Sequence, residues 1–307
     1  YFALLFLTMI GLIVLAGLMA RKFYYESWLA VADLQAMPPA CSPWRTGAQA
    51  QGGRSLFDFN FRVFKPQWNA LLKRDLAAFF REPSQWLHLL LMVLLLGVAV
   101  VSVATLRLTF EEPGIKVVAL IVIFMFDGFL IASIALRFVF PIVSMEGDAF
   151  WCVRSSPLHV EKLYWYKTLL ALTIVAGIAE VVGFVTIYFF SGDITVTLVV
   201  CAALLFVALT MVGVNVGAGG YFAMYKEKNA VRVASSQGAS LTFLSSMVYL
   251  TLVVSIMLVP VSYYTAASQP TATLRWAYIP LAIVALISII IFAASTRVGL
   301  RAIRRAG

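Results

Sequence analysis

The stretch SMEGDAFWCVRSSPLHVEKLYWYK, residues 144–167, lies between two apolar runs that are each long enough to cross a bilayer. We call this stretch the hinge. Acidic and basic residues alternate in it with five aromatic residues: Phe150, Trp151, Tyr164, Trp165 and Tyr166. This mixture is typical of a segment that lies at the membrane interface and also contacts a protein partner.

The composition of the whole chain predicts a membrane protein with several spans. Of its 307 residues, 62% are hydrophobic and 12% are charged, and the mean hydropathy is +0.95. A soluble domain has an apolar share of about half. Apolar runs of about 20 residues or more predict seven helical spans, at 2–20, 86–106, 115–140, 163–190, 194–222, 239–264 and 276–296. We therefore expect an all-α polytopic fold.

The distribution of basic residues predicts the orientation of these spans. The net charge is +9, but most of the 23 lysines and arginines lie in loops. Alternate loops and the C-terminal tail hold 18 of them, whereas the opposite loops hold only Arg107, Lys116 and Arg275. By the positive-inside rule, the basic loops and the C-terminus are expected in the cytoplasm. The basic residues are therefore explained by membrane orientation, and no nucleic-acid partner is indicated.

The chain is predicted to contain four consecutive regions. It begins at Tyr1 without a methionine or a basic leader, which favours a chain that continues a longer upstream part. Small and turn-forming residues after the first span predict a flexible linker. The predicted regions are a transmembrane helix left from the upstream part (1–20), a cytoplasmic linker (21–66), an amphipathic interfacial helix (67–85) and a six-span module (86–307) with a cytoplasmic coupling segment (141–162).

Residues 67–82 show the pattern of an amphipathic helix. Their apolar side chains share one arc of a helical wheel, and most of the rest is basic: Lys73, Arg74 and Arg81. This predicts a helix that lies on the cytoplasmic membrane face and ends at Pro83. Asp75 falls inside the apolar arc. It is predicted either to pair with a neighbouring basic residue or to contact the bundle of spans.

Within the hinge, Ser156 and Pro157 form a helix-start signal, a hydroxyl N-cap followed by proline. The hinge is therefore predicted to contain two short helices with a bend between them. We expect the bend to present five side chains to the cytoplasm for docking: Glu146, Asp148, Phe150, Trp151 and Arg154. The alternative is a simple interfacial connector.

Polar residues also occur inside the predicted spans. Asp127 and Glu180 lie near mid-membrane, where an uncompensated charge costs at least about 2.5 kcal/mol, and Asn215 is a third intramembrane polar residue. We interpret the carboxyl groups as protonated or paired groups that hold helices together, with a proton or cation relay or a polar substrate lining as the alternative. Gly213 and Gly217 predict close helix packing, with a hinge for alternating access as the alternative.

Several motifs of catalysis and ligand binding are absent from the sequence. It contains no GxxxxGK[ST] loop, no HExxH and no nucleophile elbow. His88 and His159 are predicted at interfaces, and Cys41, Cys152 and Cys201 lack metal-type spacing. We therefore predict no catalytic centre, metal site or cofactor within this chain.

The hinge resembles a segment of type-2 ATP-binding cassette (ABC) exporter permeases of bacteria, Glu-Gly-x-x-(Phe/Tyr)-Trp-x-x-Arg-x-Ser-Pro. The matching residues are Glu146, Gly147, Phe150, Trp151, Arg154, Ser156 and Pro157. KRDLAAFFREPSQW (73–86) and KEKNAVRVASSQG (226–238) resemble the same family in the same order, so the resemblance covers roughly residue 67 to the C-terminus. It implies a multi-pass permease of the bacterial inner membrane that moves a substrate outward by alternating access.

The resemblance also implies a set of partners. These permeases pair with a separate cytosolic ATPase that holds ATP and Mg, and the hinge supplies a coupling helix that inserts into it. The coupling contacts are carried over to Glu146, Trp151 and Arg154, and a second permease module is a further candidate partner. Two rival functions stay open: a proton-coupled secondary transporter that uses Asp127 or Glu180, and a membrane scaffold without transport. An integral-membrane enzyme is a weaker third.

Overall fold

A computed structural model describes residues 66–81, 83–109, 113–149, 160–227, 229–266 and 270–305, together with the isolated positions Val14 and Gly17. The predicted first span and linker lie outside these residues. Residues 61–307 form one compact unit. Its α-helices are α1 (Pro66–Arg81), α2 (Pro83–Thr109), α3 (Pro113–Ile134), α4 (Val160–Ser191), α5 (Ile194–Tyr221), α6 (Ala230–Ala234), α7 (Gln237–Ala266) and α8 (Pro270–Arg305).

Five segments of the described chain are long and apolar enough to cross a membrane: Gly114–Gly147, Val160–Ser191, Ile194–Tyr221, Gln237–Val259 and Tyr278–Arg305. Leu87–Val103 in α2 is a shorter apolar helix. Large side chains on the outer faces are exposed, including Leu94 (69%) and Leu169 (65%). Apolar surface of this extent is stable in lipid and unfavourable in water. The predicted all-α polytopic membrane fold is confirmed.

Helix α5 lies at the centre of the bundle. More than half of its apolar stretch is buried, a larger share than in the other four segments. The helix begins at Asp193, whose side chain accepts a hydrogen bond from the Thr195 backbone N–H at 2.8 Å. Its most extensive contact is with α8, followed by α4. The core therefore forms around α5.

The span that contains α3 ends irregularly, whereas the sequence predicted a regular helix to residue 140. A π-helical turn (Ala135–Val139) and a 3-10 turn (Phe140–Ile142) follow α3. Pro141 is the physical reason, because proline lacks the N–H that continues a helix and its ring clashes with the preceding turn. Gly219 of α5 accommodates this end, since a Cβ atom there would overlap the Phe140 carbonyl oxygen.

Four segments make contacts at one end of the bundle, which we call the hinge end. The Tyr164 hydroxyl donates to the Thr296 carbonyl oxygen at 3.2 Å. The Met224 N–H donates to Ser144 Oγ at 3.1 Å, and Arg304 pairs with Glu161. The start of α4 therefore lies against the end of α8, and the loop after α5 lies against the turn that begins at Ser144.

Candidate functional site at the hinge end

Four charged side chains from three segments meet at the hinge end. We call them the hinge cluster: Arg74 and Asp75 of α1, Glu146 of the turn Ser144–Ala149 and Lys167 of α4. Glu146 Oε1 lies 2.5 Å from Lys167 Nζ and 2.7 Å from Arg74 Nη2. Arg74 Nη2 also lies 2.9 Å from Asp75 Oδ1. The two cations and two carboxylates balance, so the cluster is neutral as a whole.

The centre of the cluster is buried. The side chains of Glu146 and Lys167 are only 6% and 7% exposed, whereas Arg74 is 45% exposed. Lys167 Nζ also donates to the Ile142 carbonyl oxygen at 3.0 Å. A buried ion pair is stable only when each charge keeps its partners. The cluster therefore fixes the turn Ser144–Ala149 to α4 through an interaction that is costly to break.

Arg74 links α1 to the hinge with a two-pronged contact. Its Nη1 and Nη2 atoms donate to Glu146 Oε2 at 3.2 Å and Oε1 at 2.7 Å, and its Nε atom donates to Asp75 at 3.0 Å. Burial lowers the pKa of Arg74, but the carboxylates of Glu146 and Asp75 raise it more, so the pKa lies above its ordinary value. Asp75 thus makes the helix-local pair that the sequence offered as one of two alternatives.

Aromatic contacts hold α1 against the bundle beside these charges. The rings of Trp68 and Tyr166 have centroids 4.8 Å apart, and those of Phe79 and Phe138 are 6.1 Å apart. Tilted ring pairs at these distances add to the stabilisation from buried area. The apolar arc of α1 therefore faces α4 and the end of α3.

The backbone of the hinge turns sharply after the cluster. Gly147 has φ 53° and ψ −145°, a combination that is almost restricted to glycine. A Cβ atom at Gly147 would lie 3.7 Å from the Tyr225 carbonyl oxygen. Gly147 therefore sets the direction in which the chain leaves Glu146.

Replacing Gly147 with alanine is expected to destabilise the protein by about 1 to 3 kcal/mol, because a side chain strains this backbone conformation. Denaturant unfolding of the purified protein measures the loss. Gly114→Ala is the matched control, since no atom lies within 4 Å of a Cβ at that position. Equal losses in the two variants would contradict a special role for the Gly147 conformation.

The structure corrects one expectation about Glu146. We expected the bend to present this carboxylate to the cytoplasm, but it is buried between Arg74 and Lys167 because these cations compensate its charge. Asp148 contributes its backbone to the turn Ser144–Ala149. Phe150, Trp151 and Arg154 lie outside the described residues, and their role in docking stays a prediction.

The intramembrane polar residues lie on three different helices. Asp127 of α3 is completely buried, and its Oδ2 atom lies 2.6 Å from Thr186 Oγ1 of α4. Asn215 of α5 donates to the Met211 carbonyl oxygen at 2.8 Å. One side-chain oxygen of each of these three residues has no hydrogen-bond partner among the described residues: Asp127 Oδ1, Glu180 Oε1 and Asn215 Oδ1. The structure brings Asp127 to Thr186 rather than to a basic side chain.

Gly213 and Gly217 lie where α5 and α8 approach closely. A Cβ atom at Gly213 would lie 2.6 Å from the Phe292 ring, and one at Gly217 would lie 2.7 Å from the Ser295 carbonyl carbon. Gly299 contributes reciprocally, because its Cβ would lie 2.8 Å from Gly217 Cα. Small residues on both helices permit this backbone contact.

Sequence reasoning did not identify Lys167, Thr186 or Gly299 as important residues. A signal for Lys167 was present, since it lies four residues from both Leu163 and Ala171 on the buried face of α4. Thr186 lies on the same helix, but its distant partner has no local signal. Within the described ranges, no group of three or more histidine, cysteine, aspartate and glutamate residues could hold a metal ion.

Comparison with known proteins gives one informative result. Neither the curated proteins nor the solved structures yield a match to this chain. A family model described as "Putative ATP-binding cassette" matches residues 1–307, the full length of the chain. The match and the helical membrane fold together support a general role of the ABC transporter type. The chain therefore belongs to this ABC-related family.

Proposed function

We propose that the chain is the membrane-spanning permease subunit of an ATP-driven exporter in the bacterial inner membrane. It moves its substrate outward by alternating access, and its hinge couples the spans to a separate cytosolic ATPase. The observation that carries this proposal is the burial of Glu146 between Arg74 and Lys167, immediately before the segment that contains Trp151 and Arg154. The family match is consistent with this role.

The contacts of the hinge provide a route by which a docked partner could move the spans. The turn Ser144–Ala149 continues the span of α3 and is joined to α1 and α4 through Glu146. It is joined to the loop after α5 through Ser144. A displacement of the hinge therefore acts on several helices together, as rigid-body gating requires.

The segment that follows this anchored turn carries the residue types that dominate protein interfaces. Phe150, Trp151 and Arg154 come within eight residues of Glu146, and tryptophan and arginine are enriched among energetically dominant contacts. Because the turn before this segment is already fixed, less conformational entropy is lost when the segment docks. We therefore assign docking to these side chains and the transmission of movement to the hinge cluster.

ATP binding and hydrolysis are assigned to the partner. The sequence contains no GxxxxGK[ST] loop that would hold nucleotide phosphates. ATP and Mg are accordingly expected in the cytosolic subunit. A second permease module is proposed as a further partner in the membrane.

Purification from the native membrane in mild detergent tests the coupling proposal. An ATPase subunit is expected to purify with the wild-type protein, and Trp151→Ala or Arg154→Ala should weaken its retention by about 30-fold or more, since such contacts contribute about 2 kcal/mol or more. Both variants should stay in the membrane but lose ATP-driven export. The measurements are the yield of ATPase activity in the purified complex and export from cells.

Two matched substitutions serve as controls for these variants. Trp165→Ala removes an exposed tryptophan of α4, and Arg301→Ala removes an exposed arginine of α8. Both should retain the ATPase. Normal export by Trp151→Ala and Arg154→Ala would remove the coupling role from the hinge, and a wild-type protein that purifies without an ATPase would contradict the exporter proposal.

A proton-coupled secondary transporter is the second candidate function. The observation that favours it is the buried Asp127 carboxyl group, one oxygen of which has no partner in the described part of the chain. Buried ionisable groups in a membrane often mark ion pathways. Export that survives ATP depletion and collapses with the proton gradient would support this candidate over the first.

A further inference from the structure

The contact between Asp127 and Thr186 joins the two spans that flank the hinge. From Gly114 to Asp127, α3 rises about 20 Å at about 1.5 Å per residue, which places Asp127 deep within a bilayer core of about 30 Å. The Asp127 side chain is 0% exposed.

The Thr186 hydroxyl lies within hydrogen-bond distance of three acceptor oxygens but has only one proton to donate. Its Oγ1 atom lies 2.6 Å from Asp127 Oδ2, 2.9 Å from the Val182 carbonyl oxygen and 3.3 Å from the Gly183 carbonyl oxygen. A threonine hydroxyl carries one proton but can accept through its lone pairs. Either Thr186 donates to Asp127 and leaves the carbonyls, or it donates within its helix and accepts from Asp127.

Other threonines of the bundle indicate which arrangement is preferred. Each donates to the carbonyl oxygen four residues earlier, at 2.7 to 3.1 Å: Thr168, Thr173, Thr210, Thr242, Thr251 and Thr296. This bond is the common local choice for a hydroxyl inside a helix. If Thr186 donates to Val182 in the same way, the 2.6 Å contact requires a proton on Asp127.

The surroundings of Asp127 also favour the neutral form. Its Oδ1 atom has no hydrogen-bond partner among the described residues. Cys201 of α5 lies close enough to interact electrostatically with both Asp127 and Glu180 of α4, and no cation among the described residues acts on the Asp127 carboxyl group. An ionised carboxylate would be buried here without a compensating charge, whereas a protonated carboxyl needs only one acceptor.

We propose that Asp127 is a proton-binding site, which holds its proton in this arrangement of the spans and donates it to Thr186. The 2.6 Å oxygen separation fits an O–H···O bond. The proton thereby links α3 to α4. Its removal would leave carboxylate and carbonyl oxygens competing for the single Thr186 proton and would weaken the link. This inference is independent of the coupling role of the hinge.

Infrared spectroscopy of the purified full-length protein tests this site. The wild type should show a carbonyl stretch of a protonated carboxylic acid that disappears in Asp127→Asn. Thr186→Val should shift this band to higher frequency because the acceptor is lost. Asp127→Asn is expected to fold, since the amide N–H can donate to Thr186 in place of the acid. Glu180→Gln is the control, and it should leave the Asp127 band in place.

Two results would overturn the proposal. One is that the wild-type spectrum contains no protonated-acid band that is lost in Asp127→Asn. The other is a band that stays unshifted in folded Thr186→Val. Valine is close to threonine in shape, so the Thr186→Val protein is expected to fold. The position of its acid band therefore tests the proposal even if Asp127→Asn fails to fold.

Discussion

Replacing Gly217 with alanine is expected to destabilise the bundle by about 3 kcal/mol, at the upper end of the range for overpacked cores. The added Cβ atom would overlap the Ser295 carbonyl oxygen and would lie 2.7 Å from its carbonyl carbon. These are backbone atoms of α8, which cannot rotate away as a side chain can. The whole helix must therefore shift from α5, its most extensive contact. Thermal unfolding of the purified protein in detergent measures the effect.

Gly177→Ala is the matched control and should change stability in the opposite direction. No atom lies within 4 Å of a Cβ at Gly177, which is exposed on α4. Alanine is favoured over glycine in a helix interior by about 0.5 to 1 kcal/mol. A Gly217→Ala protein that is as stable as Gly177→Ala would show that the α5–α8 contact is looser than the structure indicates.

Replacing Lys167 with methionine is expected to cost about 3 to 5 kcal/mol, because it leaves the buried Glu146 carboxylate with only the half-exposed Arg74 as its partner. Methionine retains most of the side-chain length, so the effect comes from the lost charge rather than from lost volume. Unfolding measurements give the stability, and ATPase-driven export gives the coupling. Both should decline.

The double variant Glu146→Gln/Lys167→Met separates the charge effect from other causes. Removing both charges eliminates the uncompensated carboxylate, so the double variant should be more stable than Lys167→Met alone. Lys162 is exposed on the same helix, so Lys162→Met provides the surface control with an expected change within about 0.5 kcal/mol. A double variant that is no more stable than Lys167→Met would contradict a direct ion pair.

Much of the fold could be predicted because its signals are local. A run of apolar residues specifies a span through its own length and hydropathy, and five such runs became helices that can cross a membrane. Their ends were less predictable. Pro141 was visible in the sequence and indicates that the helix ends irregularly, but the close approach of the Phe140 carbonyl oxygen to Gly219 of α5 joins residues far apart in the chain and has no local signal.

The candidate site was only partly predictable, because its contacts join residues that are far apart in the sequence. Glu146 was identified from the hinge motif, but its partner Arg74 lies 72 residues away in sequence. Asp75 indicated that a charged contact lies near this helix, because a carboxylate in an apolar arc needs a partner. No local pattern could show that Arg74 and Lys167 approach the same carboxylate from two helices.

Local sequence patterns suffice to specify a bundle of apolar helices with a polar, aromatic hinge between two spans, because hydropathy and helical periodicity depend on neighbouring residues. Which charges neutralise one another, and which helices touch through glycine, depends on how the folded chain packs. These contacts depend on packing, since an ion pair or a backbone contact forms only when distant segments are brought together. Glu146 shows the difference, because its sequence motif suggested an exposed contact and its packing made it the buried centre of the hinge cluster.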